Sequence, residues 1–568
     1  MARWSAPDWL RPDLTPAFGL WYCREIQPNR FFMGGLFPVP PCTFEAGSRR
    51  ARIISSCRVA YKNSLIMKQS QRIAKNALFG LVAGVVGGAL QFLSILIVAW
   101  HLGVEDFGNF SYLLAFGTIV QFVADFGLSR ILVREMTLYP GQLEHLLGNA
   151  KGLLWILFGV ALLLAFAVIS LLPVPPHLRL LLCIMSMGSL CQLHTIGYAS
   201  VLIATENMEF NSIAFILHKI VLVSLLELFL SCHGGLLGVV LAYLSANIFL
   251  WVYYHLVVAI GFFPGRLRYH VNLWKRLFMD SISMAGGMIM RQFSWQMDLL
   301  VLGWCTGPIA LGYFSSPFRM LLALTLIPVL LAQPLFPLFV RLARESIEQL
   351  DGLYRKTLTW FCLLSFPPMA VGFAWPKACL LICFGSHFLP AAPALKVLSL
   401  AAIPACASVL YPYLFSALNR QGNFFLVILA FALLRLALEV IFVPRWGYMA
   451  ECYIIVAMEV GLFATLAWRL RPLGLALRLG SFLGKPALAG LPCLLLLIYF
   501  PHATFPWTCI CLSLCVVIYP ALLWQCHTLQ SEDLLLMRDS LGFFKPYWNK
   551  ILAKSPFLRG LSFRQTCL

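Results

Sequence analysis

A chain of 568 residues that is 60% hydrophobic and only 11% charged, against about 25% charged in an ordinary soluble domain, has too little polar surface to clothe a water-facing globule, so it reads as an all-α polytopic membrane protein. Its formal charge of +19 would suit a nucleic-acid binder if the basic residues were gathered on one domain; they are scattered over short loops, which argues against nucleic acid and fits positive-inside orientation. The 18 cysteines build no disulfide framework, because most fall inside apolar runs, and the pairs Cys379/Cys383 and Cys511/Cys515 have no His or carboxylate placed to complete a metal site; no cofactor is expected.

Residues 1–66 mix Pro, Arg, Trp and Cys without periodicity and hold no apolar run long enough for a signal peptide, so they are expected to be a disordered or translated upstream extension. At Met67 the composition changes to the basic leader MKQSQRIAKN, directly before the first apolar run, which marks Met67 as the expected natural start. Fourteen runs able to cross about 30 Å of hydrocarbon follow. The first six lie near 77–99, 107–128, 150–172, 179–204, 211–231 and 236–261, and the next six near 282–303, 310–335, 357–377, 391–417, 423–443 and 447–468. A last pair lies at 486–501 and 504–525. The stretch CLLICFGSHFLPAAPALKV at 379–397 reads as a helix end, an interfacial turn or a short re-entrant piece.

The pattern WHLGVEDFGNFS, Trp100 to Ser111, returns 204 residues later as WCTGPIALGYFS, Trp304 to Ser315, with Trp, two Gly, Phe and Ser repeated in register. Each copy joins two apolar runs and reads as the tight outer turn of a helical hairpin. The chain is therefore expected to be duplicated: 67–265 a first six-helix lobe, 266–470 a second pseudo-symmetric lobe, 471–527 two further helices and 528–568 a cytoplasmic tail. Internal repeats of this kind mark transporters whose substrate path lies between the repeats. Placing both termini in the cytoplasm puts about thirty basic residues on the inner side and leaves only Arg179, Lys377, Lys396 and Arg445 outside. Every outer loop is short, so nothing there offers the extramembrane domain an enzyme of the outer face would need.

An ionised group near the bilayer centre costs at least about 2.5–3.5 kcal/mol, so such residues usually face a cavity. The seventh span carries Arg291 and Asp298, two turns apart on one face. Arg291 offers a planar fork of donors suited to an anionic head group; Asp298 could hold a proton or sodium ion, or partner a base from another helix. The fifth span holds His218, Lys219 and Glu227; Lys219 lacks a partner at i+3 or i+4 and is a candidate cavity cation, although it could snorkel towards the inner interface. In the eleventh span Arg435 and Glu439 are at i,i+4, so a local salt bridge competes with a cargo-binding role for Arg435. Glu451 and Glu459 of the twelfth span could serve ion coupling, with Glu451 near the outer surface and wet. Asp125 and Arg130, at the inner end of the second span, could brace a cytoplasmic gate, and Arg319 in SSPFRM is a further cavity candidate.

The leader MKQSQRIAKN, the hairpin LGVEDFGNFS, the stretch DFGLSRILVRE, the run DLLVLGWCTGPIALGYFSSPFRM and the segment FGSHFLPAAPALKVL together resemble the Wzx-type polysaccharide flippases of the multidrug and oligosaccharidyl-lipid exporter superfamily, from about Met67 to Leu470. The resemblance implies two six-helix lobes around a central cavity that rock between inward and outward states. It also implies a lipid-linked oligosaccharide cargo, held by its diphosphate and moved across the cytoplasmic membrane for surface polysaccharide synthesis, with a proton or sodium gradient as drive and polysaccharide polymerase machinery as a partner. The candidate cargo residues are then Lys219, Arg291, Arg319 and Arg435, and the candidate coupling or gating residues Asp125, Glu227, Asp298 and Glu439. A drug or small-cation exporter of the same fold would favour a cavity of acids and aromatics, and a membrane-embedded glycan polymerase or ligase would need a substantial outer loop.

Overall fold

The computed structural model describes residues 75–475 and 484–499, apart from Ala77, Pro264 and Gly265. The expected extension before Met67, the span at 504–525 and the tail at 528–568 lie outside the described residues. Those described form helices joined by short turns, with no strand among them.

The first half runs α1 (Leu78–His101), α2 (Val104–Asp125), α3 (Leu128–Leu138), α4 (Leu143–Leu171), α5 (Pro176–Leu193), α6 (Thr195–Ala204), α7 (Met208–Ser231) and α8 (Gly235–Gly261). The second runs α9 (Val271–Thr306), α10 (Pro308–Glu345), α11 (Ile347–Ala374), α12 (Pro376–Cys383), α13 (Ala392–Ser399), α14 (Ala402–Ser408), α15 (Tyr411–Ala417), α16 (Gln421–Trp446) and α17 (Tyr448–Leu470). A last helix, α18 (Lys485–Tyr499), packs on α11. Among the described residues ten spans are long and apolar enough to cross a bilayer, and eleven if the bent pair Ser386–Ser399 and Ala402–Ala417 is one. The fourteen expected also include 282–303, which lies within α9, 486–501, most of which lies in α18, and 504–525, outside the described residues. The 36-residue α9 carries Arg291 and Asp298 in its interior and is not among the ten. The ambiguous stretch at 379–397 resolves into α12, a left-handed Gly385 (φ 90°), a 3-10 turn and α13.

Proline sets much of the local geometry. It opens α5, α10 and α12, where its missing N–H would be unbonded anyway. Inside α10 it stands at 317, 328, 334 and 337, each removing a ladder bond that packing against neighbours must offset.

In the first half α2 packs on α5, α5 on α8 and α8 on α7; in the second α9 packs on α16, α16 on α17 and α10 on α11. The halves meet chiefly through α2 against α10 and α9. There the repeated hairpins touch reciprocally. A Cβ on Gly108 would overlap the carbonyl of Pro308, and one on Gly312 would overlap the carbonyl of Val104. Since Gly312 and Pro308 are Gly108 and Val104 displaced by 204 positions, the two contacts are equivalent, as in a two-fold interface. Glycine is required because the backbones approach closer than any side chain permits. Trp100 Nε1 donates to the Cys383 carbonyl at 2.7 Å and ties the first hairpin to α12.

At the other end, residues 266–270 cross from the first half to the second along the start of α4. Arg268 N–H donates to Gly148 O (3.1 Å) and Trp274 Nε1 to Asn149 O (3.0 Å). Gly148 and Gly152 leave room for the Arg266 and Arg268 carbonyls.

Candidate transport site

The charged residues of the second half form two layers between α9, α16 and α17. In the layer nearer the second hairpin Arg435 donates through Nη2 to Asp298, through Nε to Glu439 (3.2 Å) and through Nη2 to Glu451 (3.4 Å). All four side chains are buried, and Glu451, expected to be wet, is 0% exposed because Arg435 covers the first turn of α17. Asp298 Oδ1, Glu439 Oε2 and Glu451 Oε2 have no hydrogen-bond partner. One guanidinium thus faces three carboxylates whose ligand atoms lie within 4.8 Å of one another. Such a triad could hold a metal ion, but Arg435 already supplies its positive charge. In the layer farther from that hairpin Arg291 reaches Glu459 (3.4 Å) and the Ser408 carbonyl (3.4 Å), and lies over the Trp295 ring. The small cavity beside it, about 30 Å³ and bordered by Arg291, Arg435 and Glu459, has room for water only.

The two remaining candidate cations meet elsewhere. Lys219 of α7 donates to Gln91 Oε1 of α1 at 2.5 Å and lies 5.6 Å from the Phe215 ring centre. Gln91 in turn donates to Ser94 Oγ (3.4 Å). Tyr243 of α8 brings its hydroxyl beside Gln91, Ser94 and the guanidinium of Arg319, which comes from α10. Arg319 Nε and Nη2 and the Tyr243 hydroxyl are buried without a hydrogen-bond partner. Among the described residues neither Lys219 nor Arg319 forms an ion pair with a carboxylate. Both stand eleven residues from a helix end, about 17 Å deep at 1.5 Å per residue, near the bilayer middle. Lys219 is therefore directed into the bundle instead of snorkelling. An apolar cavity of about 270 Å³ lies between α1, α10, α11 and α13, lined by Phe92, Pro317, Met320, Leu321, Val371 and Leu398, and none of the polar residues of the cluster faces it.

Asp125 and Glu227 are not part of either cluster. Asp125 accepts from Ser129 N (3.0 Å) and Oγ (3.1 Å), fixing the break at Phe126 and Gly127. Glu227 is 55% exposed near the C-terminal end of α7, 3.9 Å from His101. Sequence reasoning passed over Gln91 and Tyr243, which are uncharged, and Glu135, whose partner Arg276 stands 141 positions away (3.1 Å).

Residues 73–343 match the family model described as "Polysaccharide biosynthesis protein". No curated protein matches the sequence. Among solved structures, the fold is similar to that of "Lipid II flippase MurJ, inward closed conformation", at 14% identity and a TM-score of 0.65, covering 78% of this chain and 97% of that one. It is also similar to an inward-facing multidrug resistance MATE family transporter of the MOP superfamily (13% identity, TM-score 0.57, 70% and 99% covered). A third is a MOP superfamily transporter from Pyrococcus furiosus (12% identity, TM-score 0.53, 72% and 98% covered). The family match and the shared fold bear out the resemblance carried by the hairpin and the DFGLSRILVRE stretch.

Proposed function

We propose that this multi-pass membrane protein is a flippase that carries a polyprenyl-diphosphate-linked oligosaccharide across the cytoplasmic membrane by alternating access, for surface polysaccharide synthesis. The observation that carries this reading is the meeting of Lys219 and Arg319 around Gln91 and Tyr243, deep in the bundle and without a carboxylate. A buried guanidinium with unsatisfied donors is costly unless an anion completes it, and phosphate oxygens match its fork. A cation exporter of the same fold would need the reverse charge at this place.

Arg291 and Arg435 are engaged by carboxylates and are assigned to coupling, not to cargo. Three carboxylates about one guanidinium leave two formal negative charges in a buried place, a surplus that an entering cation would offset. The drive is then a proton gradient, with Asp298, Glu439 and Glu451 as the exchanging groups.

The test is export of surface glycan by a flippase-deficient strain carrying this gene. Arg319→Ala and Lys219→Ala should each lower export about tenfold or more, as loss of one or two charge-assisted hydrogen bonds implies, while the protein stays in the membrane. Normal export by both variants would remove the cluster from the cargo path.

A further inference from the structure

A second polar pocket lies in the first half, apart from the cluster at Arg319. Between α4, α6 and α8 a cavity of about 470 Å³ is lined by Lys151, Trp155, His194, Tyr198, Trp251 and His255. It lies towards the end of the bundle where the basic loops fall. Lys151 is eight residues from the start of α4, Tyr198 six from the end of α6 and His255 six from the end of α8. At 1.5 Å per residue this is about 9–12 Å from the helix ends, the depth at which lipid headgroups give way to acyl chains. Leu267 of the crossing segment 266–270 closes one side.

The lining is built from two chemistries. His194, at the break between α5 and α6, lies among the rings of Trp155 (4.2 Å), Phe158 (5.3 Å) and Trp251 (5.4 Å). It is buried, and its Nε2 has no hydrogen-bond partner. An orphaned buried ring nitrogen is unfavourable unless a polar group reaches it. Tyr198 is held by its hydroxyl to His255 Nδ1 (2.9 Å), and Lys151 Nζ lies 4.7 Å from the Tyr198 ring. Cationic and imidazole donors thus share a pocket with indole faces at the interfacial level, and Arg266 and Arg268 stand on the segment that closes it. Basic pockets between helices on the cytoplasmic side are suited to phosphorylated headgroups, while indole rings favour the level at which those headgroups sit.

We propose that this pocket binds the phosphate-bearing headgroup of a lipid in the leaflet on the basic-loop side, with the phosphate at Lys151 and His194 Nε2 and the glycerol or prenyl stem against Trp155 and Trp251. Because Leu267 belongs to the segment joining the two halves, an occupied pocket braces that segment against α4. The source of the phosphate is either a bulk phospholipid or a polyprenyl phosphate, which share this chemistry.

Native mass spectrometry of the full chain, purified in detergent and titrated separately with phosphatidylglycerol, polyprenyl monophosphate and phosphate-free diacylglycerol, tests the assignment. His194→Phe keeps a ring in the aromatic stack and removes both nitrogens; Lys151→Gln removes the charge from a half-buried position; Lys275→Gln alters an exposed base on the same side as a control. Wild type and the control should retain at least one of the two phosphorylated lipids, and the first two variants should hold it about tenfold less tightly, with diacylglycerol unchanged. The lipid whose retention falls identifies the source. Equal retention of both phosphorylated lipids by wild type, His194→Phe and Lys151→Gln would overturn the proposal, as would a parallel loss of diacylglycerol. Neither result touches the cargo reading, which uses no residue of this pocket.

Discussion

Glu135 of α3 is buried and accepts a hydrogen bond from Arg276 of α9 at 3.1 Å, joining the two halves at the end where the basic loops lie. Arg276 also reaches Asp280 one turn on (3.8 Å). The halves are therefore clasped at both ends, by glycine contact on one side and by this bridge on the other, as an occluded carrier would be. Arg276→Ala should destabilise the closed arrangement by about 1–3 kcal/mol, because it strands the Glu135 carboxylate. Glu135→Gln with Arg276→Ala should recover most of that loss. A thermal-melt double-mutant cycle measures the coupling, and additive losses would reduce the bridge to a bystander.

Any side chain at Gly108 or Gly312 should prop the hairpins apart. Gly108→Val and Gly312→Val are each expected to speed amide hydrogen exchange in the first turns of α2 and α10 and to abolish transport, with equal effect because the contacts are equivalent. Gly141, where a Cβ would meet nothing within 4 Å, is the control. Unchanged exchange in either valine variant would mean that the crossing yields.

Arg435 is the cation shared by three buried carboxylates, so its loss should be the most damaging single change in the second half. Arg435→Met should lower stability by about 3–5 kcal/mol, the usual cost of leaving buried charge unpaired. Adding Glu439→Gln should recover part of that loss and no more, since Asp298 and Glu451 remain. Full recovery in the double variant would show that Glu439 alone matters to Arg435.

If the triad exchanges protons, transport into proteoliposomes should follow an imposed pH gradient and ignore replacement of sodium by choline. Asp298→Asn should flatten the dependence on pH, because a neutral amide cannot trade a proton. A sodium requirement in the wild type would sink the proton reading while leaving the cargo assignment standing.

Local features were legible from the residues: the hairpin repeat, the apolar runs, and the Arg435–Glu439 pair, which helical spacing brings together. What joined distant helices was not. Asp298 and Glu451 reach Arg435 from other elements, 137 and 16 positions away, and Glu459 takes up Arg291 across 168. Spacing along one helix says nothing of such partners, so Arg291 read as a free cargo ligand and Glu451 as wet. Lys219 stands out because no acid lies at i+3 or i+4 on its helix, yet its partner Gln91 carries no charge to draw notice. The run expected at 282–303 lies within α9, whose interior charges lower its apolar content, and the run at 391–417 is a bent pair of helices, a distinction that apolar content alone does not make.

The segment 266–270 is bonded to α4 through Arg268 and backed by Gly148 and Gly152, so it is no slack cord. Only Tyr269 and His270 separate the anchored Arg268 from the first turn of α9. Trp274 in that turn is itself bonded to Asn149 of α4, so the angle through which one half can swing against the other is set by a fulcrum pinned to the first half, not by the length of chain between the halves.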